Sequence, residues 1–135
     1  GGQAVTNKEL SQLYYLVKEI KLKRQQLEQL RTIAEGTTVE LTGMPYGTGI
    51  NDKVGNIAAD IADIKAILEL KIQEYYYQYN RLTRYIESID DSLVRQIMTL
   101  RYIELKEWND VADMVGGNNT EDSVKKRVYR YLDKQ

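Results

Sequence analysis

Apolar residues recur in steps of three and four along most of the chain. Leu10, Leu13, Val17, Ile20, Leu27, Leu30 and Ala34 form a first stripe, flanked by Lys and Glu, which is the period of an amphipathic helix. Thr6-Asn7-Lys8-Glu9 ahead of it fits a capping box. The spacing predicts one helix over 7–35. Arg24 and Arg31 fall where a strict heptad wants apolar residues, so a short helical hairpin suits the stripe better than a two-stranded coiled coil. A second stripe runs Val54, Ile57, Ile61, Ile64, Leu68, Ile72, Tyr75, Tyr79, Leu82, Ile86 and Ile89. With Asn51 or Asp52 as its cap, it predicts a rod roughly 50 Å long at about 1.5 Å per residue. Such a rod must bury its stripe against the first helix, a second copy, or both.

Between the stripes, residues 36–52 hold Gly36, Gly43, Gly47, Gly49, the only proline (Pro45) and several threonines, the composition of a connector. Thr38–Leu41 alternates in polarity and could add a short extended piece. Asp90-Asp91-Ser92 ends the second stripe with N-cap chemistry. Three short helices are then expected. The first, about 91–103, turns Leu93, Val94, Ile97, Leu100 and Ile103 inward. The second, about 106–115, buries Trp108, Val111, Ala112 and Val115, and the third, about 120–133, buries Val124, Val128, Tyr131 and Leu132. Gly116-Gly117-Asn118-Asn119 joins the last two, built of residues that tolerate positive φ.

The expected architecture is therefore all-α: a long antiparallel, coiled-coil-like hairpin over 7–89 with its loop at 36–52, then a three-helix head over 90–135. Two short helices, a Gly-containing turn and a basic second helix follow the helix-turn-helix plan. Ala112 is small enough to let the last two helices approach, and Trp108 is large enough to lock their crossing. Lys125, Lys126, Arg127, Arg130 and Lys134 then project from the third helix toward phosphates and base edges. The plainer alternative is a core stripe plus cations that complement a helix C-terminus.

Composition narrows the chemistry. The 135 residues include no Cys and no His, which excludes disulfides, thiolate zinc sites and Ser-His-Asp or Cys-His catalysis. The i, i+3 carboxylate pairs Asp60/Asp63 and Asp110/Asp113 lie on polar helix faces, where charge is expected anyway. The glycines at 43–49 lack the Lys of a phosphate-binding loop. No enzymatic activity, cofactor or metal is expected. No apolar run approaches the roughly 20 residues of a membrane span, and there is no secretory-type apolar stretch, so a bacterial host cytoplasm is the expected location.

Tyr occurs 11 times and Phe never, and Tyr75-Tyr76-Tyr77 with Tyr79 encircles the second rod, so at least one ring faces outward toward solvent or a partner. The formal net charge is −1, but it is unevenly spread: residues 89–119 carry three basic and six acidic side chains, and residues 120–135 carry five basic and three acidic. A local basic helix on a neutral chain fits phosphate contact.

Residues 89–133 resemble region four of bacterial sigma factors. The resemblance rests on Asp90-Asp91, Leu100-Arg101-Tyr102, Glu107 to Ala112, Val115-Gly116, Thr120 and Val124-Lys125-Lys126. Trp108 and the upstream Gly43-Met44-Pro45-Tyr46-Gly47 loop are more particular. They are similar to small sigma-like proteins of Gram-positive phages and prophages, of the ArpU and RinA type. By position, the resemblance implies that Thr120 opens a recognition helix and that Glu121, Asp122, Lys125 and Lys126 face base edges. An acid there accepts from a cytosine amino group and a Lys donates to guanine; Arg127 and Arg130 are placed for phosphates. The chain departs from the pattern in a turn about two residues longer and in acidic residues at 121 and 122, where Arg is usual.

The implied function is a DNA-binding transcription regulator, with double-stranded DNA and RNA polymerase as partners and a homodimer through the long helices as one arrangement. The alternatives are a DNA-packaging protein like a small terminase, or a sigma-like protein-interaction module without DNA contact.

Overall fold

In a computed structural model, residues 5–36 and 50–135 are described, the side chains of the second stretch from Asn56 onward. The expected features of the 36–52 connector, including the Thr38–Leu41 piece and the Gly43–Gly47 loop, therefore lie almost entirely outside the described residues. Every regular element among the described residues is helical. In order these are α1 (Asn7–Leu10), α2 (Gln12–Ala34), α3 (Ile50–Glu87), α4 (Ser92–Met98), continued by a π-turn over Thr99–Ile103, α5 (Trp108–Val115) and α6 (Glu121–Asp133). The protein is all-α.

The chain forms two compact units, residues 1–15 with 75–135, and residues 16–74. In the first, the short helices do not close a core by themselves. Val94, Ile97, Met98, Tyr102, Trp108, Val111, Ala112, Val124 and Val128 share one apolar cluster with Val5, Leu10 and Leu13 from the start of the chain, and with Leu82, Ile86 and Ile89 from the end of α3. The expected boundary at 89/90 thus moves. About 45 residues have too little interior to exclude water, and the chain's beginning and the last turns of α3 complete it.

Polar contacts fix the same arrangement. Glu9 N donates to Thr6 Oγ1 at 3.2 Å, one half of the expected capping box, while the Glu9 carboxylate accepts from the Thr6 hydroxyl at 3.5 Å and not from its backbone N–H. Tyr102 Oη donates to Asn7 Oδ1 at 2.8 Å, Gln135 Nε2 donates to Val5 O at 2.7 Å, and Tyr85 Oη donates to Gln135. Burial and the neighbouring Tyr131 hydroxyl push the Tyr85 phenol up to about 12. Arg95 Nη1 reaches the carbonyls of Ile89 and Asp90 at 2.5 and 3.1 Å, holding the corner after α3. Asp91 caps α4, its Oδ1 accepting from Leu93 N at 2.9 Å and Val94 N at 3.1 Å.

Three details differ from the sequence-based expectation. The single helix over 7–35 is interrupted at Ser11, whose Oγ donates to Asn7 O at 2.9 Å; a hydroxyl that satisfies a backbone carbonyl competes with helix continuation. α3 begins at Ile50, so Asn51 and Asp52 lie inside it and not at its cap. In the first short helix, Met98 and Tyr102 are buried while Leu100 and Ile103 are half-covered. The π-turn explains this: Glu104 N donates to Thr99 O at 2.9 Å, an i→i+5 bond that inserts a residue and rotates the inward face.

In the second unit, Leu16, Ile20, Leu27 and Leu30 of α2 and Ile57 of α3 are buried. Lys71 Nζ lies 2.6 Å from Glu19 Oε2 across the two helices. Arg24 and Arg31, which interrupt the heptad, are exposed.

Candidate nucleic-acid interface

Val124 and Val128 are one turn apart and fully buried, which fixes one side of α6 against the core and turns the rest outward. Trp108, at the first position of α5, packs edge-on against Tyr102 (centroids 6.1 Å apart) and Tyr129 of α6 (6.3 Å), and the Arg101 guanidinium lies 4.7 Å from its ring centroid. One indole of α5 therefore touches both the π-turn and α6. Ala112 is buried, while Val115 is only half-covered at the end of α5.

The link between α5 and α6 runs through three consecutive positive-φ residues, Gly116, Gly117 and Asn118. Gly116, at φ 66 and ψ −150, occupies a region essentially reserved for glycine. Asn119 closes the turn, its Nδ2 donating to Gly116 O at 2.8 Å. Thr120 then caps α6 reciprocally: Ser123 N donates to Thr120 Oγ1 at 3.1 Å, and Thr120 N donates to Ser123 Oγ at 2.8 Å. The longer turn is thus a defined structure with every bend assigned to a residue suited to it.

Glu121, Asp122, Lys126, Arg127 and Arg130 are exposed and Lys125 is half-exposed. They do not form a bare cationic ridge. Lys125 Nζ lies 3.0 Å from Glu121 Oε1, Lys126 Nζ lies 2.8 Å from Asp122 Oδ2, and Arg127 Nη2 lies 3.5 Å from Asp91 Oδ2. Arg130 and Lys134 have no ion-pair partner among the described residues. Bonding to Lys126 holds the Asp122 carboxyl below the usual carboxylate range. Asp91 is held below it chiefly by the Val94 N–H and further by Arg127, against a smaller opposing effect of burial.

Lys126, Arg127, Arg130, Lys134, Thr120 and Asp91 line one open depression of about 530 Å³ beside α6. The structure thus brings together Thr120, Asp122, Lys126, Arg127 and Arg130 of the expected set, while Glu121 and Lys125 do not line the depression. Lys134, expected to project from the same helix, joins them. One participant was not anticipated. Asp91 is 36 residues from Arg127, and only the crossing of α4 and α6 brings them together. The i, i+4 acid–lysine pairs were visible in the spacing of 121/125 and 122/126.

Elsewhere on the first unit, Tyr75 and Tyr79 pack against the core, their centroids 6.0 Å apart, while Tyr76 and Tyr77 are exposed. No helix among the described residues is long and apolar enough to cross a membrane. Comparison of the chain with protein-family models, curated proteins and solved structures gives no match.

Proposed function

We propose that α5, its turn and α6 act as a helix-turn-helix that binds duplex DNA, and that the protein is a non-enzymatic phage or prophage transcription regulator of the sigma region-four kind, acting in the host cytoplasm. The observation that carries this reading is a helix anchored on a closed core through Val124 and Val128 whose outer face presents Lys126, Arg127, Arg130 and Lys134 around an open depression. Rigid presentation of cations at helical spacing is what backbone phosphates select. Exposed i, i+4 ion pairs contribute only about 0.3–0.5 kcal/mol each, so phosphate can displace Glu121 and Asp122 from their lysines at little cost. Arg130 and Lys134 have no such pair among the described residues. RNA polymerase is the protein partner this reading implies.

The long helices serve as a stem. Their antiparallel arrangement is supported by the Glu19–Lys71 pair, which joins the start of the second unit's α2 segment to the end of its α3 segment.

A second reading, a sigma-like module that binds protein instead of DNA, is favoured by the three acids that hold three of the α6 cations. Titration of labelled random-sequence duplex across a salt series separates the two. DNA binding predicts affinity falling linearly on a log–log salt plot, with the slope reduced by about one for each phosphate-contacting cation removed. The Lys125→Ala/Lys126→Ala/Arg130→Ala variant should lose about tenfold or more in affinity. Absence of duplex affinity at low salt would leave the protein-binding reading standing.

A further inference from the structure

We infer that the cavity between the start of the chain and the π-turn binds a free α-amino acid with an apolar side chain. All of its lining belongs to the first unit. The inference goes beyond DNA binding and does not depend on it.

The cavity measures about 150 Å³ and has two walls. Leu10, Tyr14 and Tyr15 line one, on either side of the helix break at Ser11. Arg101, Leu105 and Glu107 line the other, from the π-turn to the cap of α5. Both walls include irregular backbone. The i→i+5 turn carries Arg101, and Leu105 is held at φ 62, where residues with a Cβ are uncommon. π-Turns and non-glycine residues in the left-handed region concentrate at ligand sites, since the surrounding structure must hold them there. An apolar cavity of about this size accepts a benzene ring, so one apolar side chain fills the space.

Two opposite charges stand at this cavity without pairing with each other. The Arg101 guanidinium is fixed by the Trp108 ring, 4.7 Å from its centroid, and by Lys106 O, 3.0 Å from Arg101 Nη1. No carboxylate pairs with it among the described residues. A guanidinium held in place with donors to spare offers its fork to a carboxylate. The Glu107 side chain is exposed, makes no cap bond to α5 and has no ion-pair partner among the described residues. A side chain inserted by a partner protein would bring one charge at most. An α-amino acid carries a carboxylate, an ammonium and a side chain on one carbon. It therefore meets Arg101, Glu107 and the lining of Leu10, Tyr14, Tyr15 and Leu105 together. Its zero net charge suits a site whose own two charges cancel.

The test is calorimetric titration of the full chain with L-leucine, L-phenylalanine and glycine, and with the desamino acid and the decarboxylated amine derived from each of the first two. Emission of Trp108, the chain's single tryptophan, is followed in parallel, because Arg101 lies against its ring. The account predicts that leucine, phenylalanine or both occupy a single site with a Kd of about 1 mM or tighter. Glycine and the analogues lacking either charge should bind about tenfold or more weakly, since a site that pairs a charged group rejects the ligand without it. Glu107→Gln should remove the preference over the desamino acid, and Arg101→Gln the preference over the amine. A purely structural effect would instead weaken every ligand alike. If Arg101→Gln fails to fold, the exposed Glu107→Gln variant and the wild-type series still decide. No amino-acid binding up to about 10 mM overturns the inference. So does equal affinity for either truncated analogue, or binding that leaves Trp108 emission unchanged and both variants as selective as wild type. No readout involves duplex DNA, so failure here leaves the DNA-binding proposal standing, and the reverse holds too.

Discussion

The protein carries two basic helices in different settings. α6 lies on a closed core, pinned by two fully buried valines and by an indole from α5 that also touches the π-turn. The α2 segment of the second unit carries more net positive charge for its length, yet its Glu19 pairs with Lys71 of the α3 segment, which carries more acidic than basic side chains over 56–74. Counting charge alone would choose α2 as the DNA-facing element. On the proposed reading the element is α6, because phosphates recognise cations at fixed positions, and fixed positions need a rigid support beneath them.

The sharpest way to break this contrast is to remove the support. Trp108→Ala should cost about 3–5 kcal/mol, in the range for large aromatic truncations in cores, read by chemical denaturation. The loss should appear as released protection in α4–α6, with the helices of residues 16–74 retained. If both units melt together with one midpoint shift, the contrast between a supported and an unsupported helix fails.

Gly116→Ala is a cleaner probe of the turn. An added Cβ meets nothing within 4 Å, so any effect is backbone strain alone, expected at about 1–3 kcal/mol for a non-glycine residue in that conformation. An unchanged midpoint would mean the turn readily adopts another shape, and α6 would not be held as described.

Asp91 links capping to electrostatics. Asp91→Ala should cost about 1 kcal/mol as an N-cap loss and release Arg127. Because the folded carboxyl is held below its ordinary value of 3.8, its contribution is fully present above that value. It is lost as pH falls through the lower, folded value. Thermal midpoints should therefore be flat from neutral pH to about 5 and fall below about 4, with Asp91→Asn flattening part of the acid limb. A wild-type decline that begins near neutrality would contradict the assignment.

The smallest effect concerns the acids on α6. Glu121→Gln with Asp122→Asn frees Lys125 and Lys126, and removing two exposed pairs worth about 0.3–0.5 kcal/mol each should tighten duplex binding a few-fold. Weaker binding in that variant would instead support a direct role for these acids at base edges.

Much of this was legible in the sequence. Periodicity located the long helices and the three short ones, since burial imposes a 3.6-residue repeat wherever one face is covered. Asp91 and Thr120 were recognisable as caps, and the Gly116–Asn119 turn by residues able to adopt positive φ. What could not be read depends on tertiary crossing. Nothing local in Tyr102 announces its burial, because an i→i+5 turn rotates the helix between it and Ile97. Nor does Val5 or Leu82 reveal that the head needs both to complete its core. Among the expected site residues, the positions on α6 follow from the stripe of Val124 and Val128. Their pairing state depends partly on Asp91, which only the fold brings near.

The most direct measurement compares the two basic helices on one scale. Lys125, Lys126 and Arg130 on α6 are replaced by Ala in one variant, and Lys21, Lys23 and Arg24 on α2 in another, and duplex affinity is followed over a salt series. The account predicts that the α6 variant loses about tenfold or more and flattens the salt slope by about three, while the α2 variant stays close to wild type. Equal losses, or a larger loss from the α2 variant, would contradict it.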